Sequence, residues 1–322
     1  MEAIIKKFAI IGAAGYVAPR HMKAIKDTGN KLIAAFDLND SVGIIDSYFP
    51  DAHFFTEFER FDRFVDKWQR NQERKIDYFA VATPNYLHDS HMRFALKSGA
   101  DVICEKPLVL NADKIDKLKV IENETSKKIY NILQLRLHPS IIKLKEKIKQ
   151  ELELNSKKVY NIDLTYLSSR GKWYFESWKG DESKSGGIAT NIGVHFYDML
   201  TWIFGEVTSN HLNMKKTDVN AGILELKNAR VRWFMSINYN YLPKKIKDKG
   251  LTSYRSLILD GQEIDFTYGF NDLHTRSYEE ILSGNGFRID EARSSIDIVS
   301  DIRHLSPLGL ANDYHPFCKK VK

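Results

Sequence analysis

The sequence predicts an α/β protein of two domains. The first is an N-terminal Rossmann, doubly wound parallel sheet; the second is a C-terminal α+β domain with an open, largely antiparallel sheet. Three observations predict this. Residues 1–130 alternate short apolar strands with helix-patterned segments, as a parallel sheet covered on both faces requires. The first strand runs straight into a turn of small residues, Gly12-Ala-Ala-Gly15-Tyr-Val-Ala18. From about Val159 the strands lengthen and alternate, as in a sheet with one covered face. The domains are therefore expected at 1–130 and 131–322, with the C-terminal helix packing back on the first.

Taken in order, Phe8–Gly12 reads as a strand, Pro19–Asp27 as its helix and Lys31–Phe36 as a second strand ending at Asp37. The charged, aromatic stretch Phe54–Arg74 reads as a helix with an exposed face. Asp77–Ala82 and Asp101–Cys104 are strands flanking the helix Tyr86–Ser98, with Gly99 as its terminator. The helix Ala112–Lys127 and the strand Lys128–Leu133 complete the first domain. Beyond it lie an amphipathic helix around Lys143–Lys149 and strands at Val159–Leu167, Ala221–Leu226, Val231–Asn238, Ser256–Leu259 and Glu263–Phe266. Further helices are expected at Thr190–Phe204 and Ile289–Leu305.

With 43% hydrophobic and 28% charged residues, the chain has the composition of an ordered globular protein. Two cysteines, Cys104 and Cys318, make no disulfide framework, and no Cys/His spacing suggests a metal site. The net charge of +6 is dispersed, and without a recognition motif it does not point to nucleic acid. Lys6-Lys7 before an apolar run mimics a signal peptide, but the run also reads as the first Rossmann strand. No apolar stretch reaches the roughly 18 residues of a membrane span, so the expected location is the cytoplasm.

The Gly12 turn, with Ala14, Gly15 and Tyr16, lets backbone approach a pyrophosphate at a helix N-terminus. Asp37 stands at the acidic position that accepts hydrogen bonds from the adenosine ribose and disfavours a 2′-phosphate, so the expected cofactor is NAD. Thr83-Pro84-Asn85 with His88, and Glu105-Lys106-Pro107, follow strands at the same sheet edge, where ligands of such sheets lie. Asn191 and His195 are spaced i, i+4 and share a helix face, and Asp198, three residues further on, is expected to tune or anchor the site. A Tyr-xxx-Lys pair of the short-chain dehydrogenase type is excluded, because Tyr241 to Lys245 contains Pro243.

Together these motifs resemble the glucose–fructose oxidoreductase/inositol dehydrogenase (Gfo/Idh/MocA) family. The resemblance rests on the glycine turn, Thr83-Pro84-Asn85, Glu105-Lys106-Pro107, the stretch Gly187 to Asp198 and Asp290-Glu-Ala-Arg293. It implies hydride transfer between NAD and a sugar carbon, with Lys106 and His195 as the catalytic pair and Glu105 beside the cofactor. Asn191 departs from the aspartate common in the family: a neutral amide orients an imidazole without raising its pKa. The stretches Gly12–His21, Asn131–Arg136, Ser169–Tyr174 and Thr190–His195 are similar to a subgroup, the bacterial UDP-N-acetylglucosaminuronate 3-dehydrogenases. That subgroup shares the asparagine. It implies oxidation of the sugar C3 hydroxyl, recycling of NADH in place by 2-oxoglutarate, a role in lipopolysaccharide O-antigen biosynthesis and a homotetramer. Arg136, Arg170 and Lys179 are candidate partners for the substrate's anionic groups, with Trp173 and Tyr174 as aromatic faces. Asn191, Tyr254 and Arg255 complete the candidates. The alternatives are another sugar or polyol dehydrogenase of the family, or an NAD-binding sensor without catalysis.

Overall fold

The structure, a computed structural model, describes residues 4–71, 74–264, 270, 272–311 and 313–321. The chain divides into two compact units, Met1–Gln134 with Asp272–Arg293, and Leu135–Asn271 with Ser294–Lys322.

The first unit is built on six strands: β1 (Lys7–Ile11), β2 (Lys31–Phe36), β3 (His53–Phe55), β4 (Tyr78–Val81), β5 (Asp101–Cys104) and β6 (Ile129–Asn131). All neighbours pair in parallel, in the order β3-β2-β1-β4-β5-β6. Such a sheet is buried on both faces, which is why its strands read as near-continuous apolar runs rather than alternations. The order reverses between β1 and β4, and a doubly wound sheet opens its ligand crevice at the carboxyl ends of that pair. On one face, Phe8, Ile10, Met22, Ile25 and Tyr278 join one apolar cluster. On the other, Phe61 and Phe94 pack against Phe79.

The second unit carries β7 (Tyr160–Ser168), β8 (Val207–Lys215), β9 (Val219–Leu226), β10 (Ala229–Ser236), β11 (Ser253–Leu259) and β12 (Gln262–Ile264). Their order is β12-β11-β7-β10-β9-β8, antiparallel except for the β7–β10 pair. The helix Gly187–Phe204 packs on β9 and β10. Gly193 lies against the Met235 thioether so closely that a side chain there would overlap it. This small residue lets the helix settle on the sheet.

The predicted fold class holds, with local corrections. Residues 54–55 belong to β3 rather than to the following helix, which spans Phe58–Gln69; a three-residue edge strand is too short to show a period. The helix Gly187–Phe204 starts before Thr190. The strand β8 and the helix Leu273–Leu282 were not legible, since neither has a clear apolar repeat. The last expected strand ends at Ile264, and its residues 265–266 lie outside those described. Among the described residues, no helix is long and apolar enough to cross a membrane.

Candidate active site

In the first unit, Gly12 ends β1 with φ +96°, a conformation that a side chain strains. A Cβ there would lie 2.7 Å from the Ala82 carbonyl carbon and the Thr83 nitrogen. The turn therefore meets the end of β4 backbone to backbone. Gly15 is similarly close to the Ala82 oxygen, where a Cβ would sit at 3.2 Å. The helix Ala18–Asp27 that follows has no side-chain cap and no acidic residue in its first turn, leaving its amide end suited to an anion. This geometry fits a dinucleotide pyrophosphate.

Asp37 is held over the same turn. Its Oδ2 accepts the Ala14 N–H at 2.9 Å, and its Oδ1 accepts the Asn39 N–H at 2.9 Å. Each oxygen retains a further lone pair, so the oriented carboxylate can still accept from ribose hydroxyls. Tyr16 is 84% exposed, with the Arg20 guanidinium 5.5 Å from its ring. The Thr83 hydroxyl lies 3.0 Å from His91 Nδ1, and Asn85 is buried in the next turn.

His88 is buried, with Nδ1 2.7 Å from the Pro107 oxygen and Nε2 2.9 Å from the Thr83 oxygen. Burial pushes its pKa down, so the neutral ring has one N–H to give, and the shorter contact assigns it to the Pro107 carbonyl. Glu105 is also buried and accepts from its neighbour's Lys106 N–H at 3.2 Å. Lys106, which precedes a cis peptide to Pro107, is half-buried.

The second unit presents its candidates on the helix Gly187–Phe204. Asn191 donates its amide to the Tyr174 hydroxyl at 3.0 Å. Tyr174 is buried, and burial raises its pKa. His195 lies one turn beyond Asn191 and is half-buried. Arg136 was expected to meet the substrate and Asp198 to tune or anchor the site; the structure joins them in one bidentate ion pair, Nε to Oδ2 at 3.0 Å and Nη2 to Oδ1 at 2.7 Å. Both are buried, and a buried charge requires such a partner. Asp198 thus anchors Arg136, which also lies over the Trp202 ring at 5.7 Å.

Lys179 lies over the rings of Trp178 and Trp173, at 4.2 and 5.9 Å, with Trp173 itself 55% exposed. Arg170 donates to the Ser169 carbonyl at 3.0 Å. On β11, Tyr254 stacks on Phe317, and Arg255 sits 4.3 Å from the Phe270 ring centre. Tyr174 and Asn191 are thus in direct contact, whereas Tyr254 and Arg255 have aromatic partners of their own.

Sequence reasoning missed His21, His274 and Tyr278, which surround Glu105. His21 carried a signal, standing with Met22 and Ile25 on the buried side of its helix. His274 and Tyr278 had none, because their helix was not recognised.

The model of an oxidoreductase family, NAD-binding Rossmann fold, matches residues 6–132, and that of its C-terminal alpha/beta domain matches residues 145–247. The chain belongs to the Gfo/Idh/MocA oxidoreductase family. Its first unit is accordingly an NAD-binding Rossmann unit. The WlbA (WbpB) dehydrogenase from Thermus thermophilus, solved with NAD and alpha-ketoglutarate, is 45% identical with a TM-score of 0.92, covering 97% of this chain and 100% of that one. The same dehydrogenase solved with NAD and UDP-GlcNAcA gives 44% identity over the same shares, also with a TM-score of 0.92. Among curated relatives of this oxidoreductase is the glucose-6-phosphate 3-dehydrogenase of Bacillus subtilis (strain 168), 24% identical over 281 residues, which are 84% of this chain and 76% of that protein.

Proposed function

We propose that this oxidoreductase removes hydride from C3 of UDP-N-acetylglucosaminuronic acid, giving the 3-keto sugar, and is regenerated by 2-oxoglutarate. The observation that carries this reading is the likeness to the Thermus thermophilus dehydrogenase, nearly half identical along almost the whole chain and solved with NAD and each of these compounds. Position C3 is further supported by the 3-dehydrogenase among its curated relatives.

When bound, NAD supplies the hydride acceptor. Gly12, Ala14, Gly15 and Tyr16 are assigned to its pyrophosphate, Asp37 to the adenosine ribose, and Thr83, Asn85, Glu105 and Lys106 to the remaining cofactor edge. His88 contributes by bracing that edge. His195 takes the C3 hydroxyl proton as hydride leaves, and Lys106 stabilises the developing alkoxide. With NAD bound, the return half-reaction would deliver hydride to C2 of 2-oxoglutarate while the proton held by His195 passes to its carbonyl oxygen, yielding 2-hydroxyglutarate. The proton and hydride balance over the cycle, and NAD need not leave. Asn191 holds Tyr174 and with it the substrate side of the helix; Asp198 fixes Arg136. Arg170, Lys179 and the pair Tyr254-Arg255 are assigned to the diphosphate or carboxylate, and Trp173 and Tyr174 to the sugar and base. The working form is proposed to be a cytoplasmic homotetramer serving O-antigen synthesis.

The test is to incubate the purified protein with UDP-N-acetylglucosaminuronic acid, with and without 2-oxoglutarate. Sustained formation of keto sugar and 2-hydroxyglutarate only when both are present is the expected result. Turnover of glucose 6-phosphate alone would move the reading to another sugar of the family. Normal NAD binding without turnover of any sugar would replace it by a sensor.

A further inference from the structure

A buried polar cluster of the first unit gathers around Glu105, the residue before Lys106. Glu105, His21 and His274 are all buried, and one ligand-type atom from each lies within 4.8 Å of the others. Such a set invites a metal, but the geometry points elsewhere. A zinc ion would draw its ligands toward a common point about 2 Å from each. Here both imidazoles converge on a single oxygen: Glu105 Oε1 lies 3.1 Å from His21 Nε2 and 2.7 Å from His274 Nε2. These are hydrogen-bond lengths.

One assignment of protons satisfies every contact. Tyr278 donates its hydroxyl to His21 Nδ1 at 2.8 Å, which leaves the His21 proton on Nε2, aimed at Glu105. His274 donates from Nε2 to the same oxygen, and the Lys106 backbone N–H donates to Oε2 at 3.2 Å. Burial keeps the His21 imidazole neutral by lowering its pKa, against the pull of Glu105. Burial alone would raise the Glu105 carboxyl, but the hydrogen bonds from His21 and His274 outweigh it and hold the group well below the usual range. Glu105 is therefore a buried carboxylate solvated by protein donors, not half of an ion pair with His21.

The source of these donors is informative. His274 and Tyr278 sit one turn apart on Leu273–Leu282, in the late segment that returns to the first unit. That helix packs against Ala18–Asp27, which carries His21. The return of the chain thus delivers two of the groups that fix Glu105. On the other side of Lys106, His88 braces the Pro107 carbonyl. The backbone around Lys106 is held by one side chain before it and one after it.

We infer that His21, His274 and Tyr278 are positioning residues that fix Lys106 through the Glu105 carboxylate. This rests on the proposed role of Lys106 at the reacting oxygen, but its structural part can be tested without turnover. The full-length protein is compared with His274→Leu, which removes the donor, His274→Gln, which restores an N–H near the same place, and the milder Tyr278→Phe. Amide exchange at Lys106 should speed about tenfold in His274→Leu and recover in His274→Gln, since only the hydrogen bond to Glu105 is at issue. The turnover number should fall about tenfold or more in His274→Leu while the KM for the sugar and the affinity for NADH stay within about threefold. Long-range nitrogen NMR at neutral pH should show the His21 imidazole as the neutral Nε2–H form, since burial lowers its pKa. Unchanged Lys106 exchange in His274→Leu and Tyr278→Phe, a His21 proton on Nδ1 rather than Nε2, or one equivalent of tightly bound metal in the purified protein would each overturn the inference. If exchange and NMR behave as expected but Lys106→Ala remains active, the network stands and the role given to Lys106 falls.

Discussion

The two units solve recognition in different ways. In the first, the cofactor turn is shaped by absent side chains: Gly12 and Gly15 let backbone meet backbone at the ends of β1 and β4. In the second, the candidate site depends on side chains that buttress one another, as Tyr174 and Asn191 do, and Arg136 and Asp198. A cofactor common to a large family can be bound by a local backbone geometry, whereas a particular substrate needs groups gathered from several elements. This contrast sets what each substitution should do.

The largest effects should fall on turnover and leave the cofactor cradle intact. His195→Ala and Lys106→Ala are each expected to lower the turnover number by about 10²–10⁴-fold, with NADH affinity by fluorescence titration nearly unchanged. Retained turnover in either variant would remove that residue from the mechanism. Next comes Arg136→Met, which takes the bidentate partner from the buried Asp198 carboxylate. It should destabilise the second unit by about 3–5 kcal/mol in denaturant unfolding while the first unit still binds NADH. An equal loss of NADH binding would break the contrast.

Gly12→Ala acts on the other side of the comparison. The left-handed backbone and the overlap with Ala82 and Thr83 should cost about 2 kcal/mol or more, with weakened NADH binding as its first sign. Acid should also separate the units. Burial lowers the pKa of His21 and His88, and takes His91 to about 4, all in the first unit; in the second, it takes His315 to about 4. The unfolded chain then binds more protons than the native one once the pH falls below about 6.5, so stability declines from there toward about pH 4, by on the order of 1 kcal/mol or more per imidazole. Hydrogen exchange resolved by residue should show the first unit losing more protection. The smallest effect is expected from Asp37→Ala, which should weaken NADH by about tenfold through lost ribose hydrogen bonds and narrow its advantage over NADPH.

The same contrast explains what could be read from the sequence. The placement of Gly12, Gly15 and Asp37 was legible because each follows a strand, where local backbone geometry sets which residue fits. Asn191 and His195 were legible as a pair because a helix puts i and i+4 on one face. The union of Arg136 with Asp198 was not, since nothing local marks a contact made 62 positions apart. The strand β8 was hidden by its polar sequence and half-buried pattern. The helix Leu273–Leu282, with only Leu273, His274, Ser277, Tyr278 and Ile281 buried, was hidden likewise. With it went His274 and Tyr278, and so the surroundings of Glu105.

The central claim is that hydride taken from C3 of the nucleotide sugar is handed on to 2-oxoglutarate without release of the cofactor. Substrate deuterated at C3 tests it directly, with the products analysed by mass spectrometry in the presence of excess unlabelled free NADH. The account predicts deuterium at C2 of 2-hydroxyglutarate, with little dilution by the free pool. Deuterium retained in the sugar, or washed out into the free NADH pool, would contradict it.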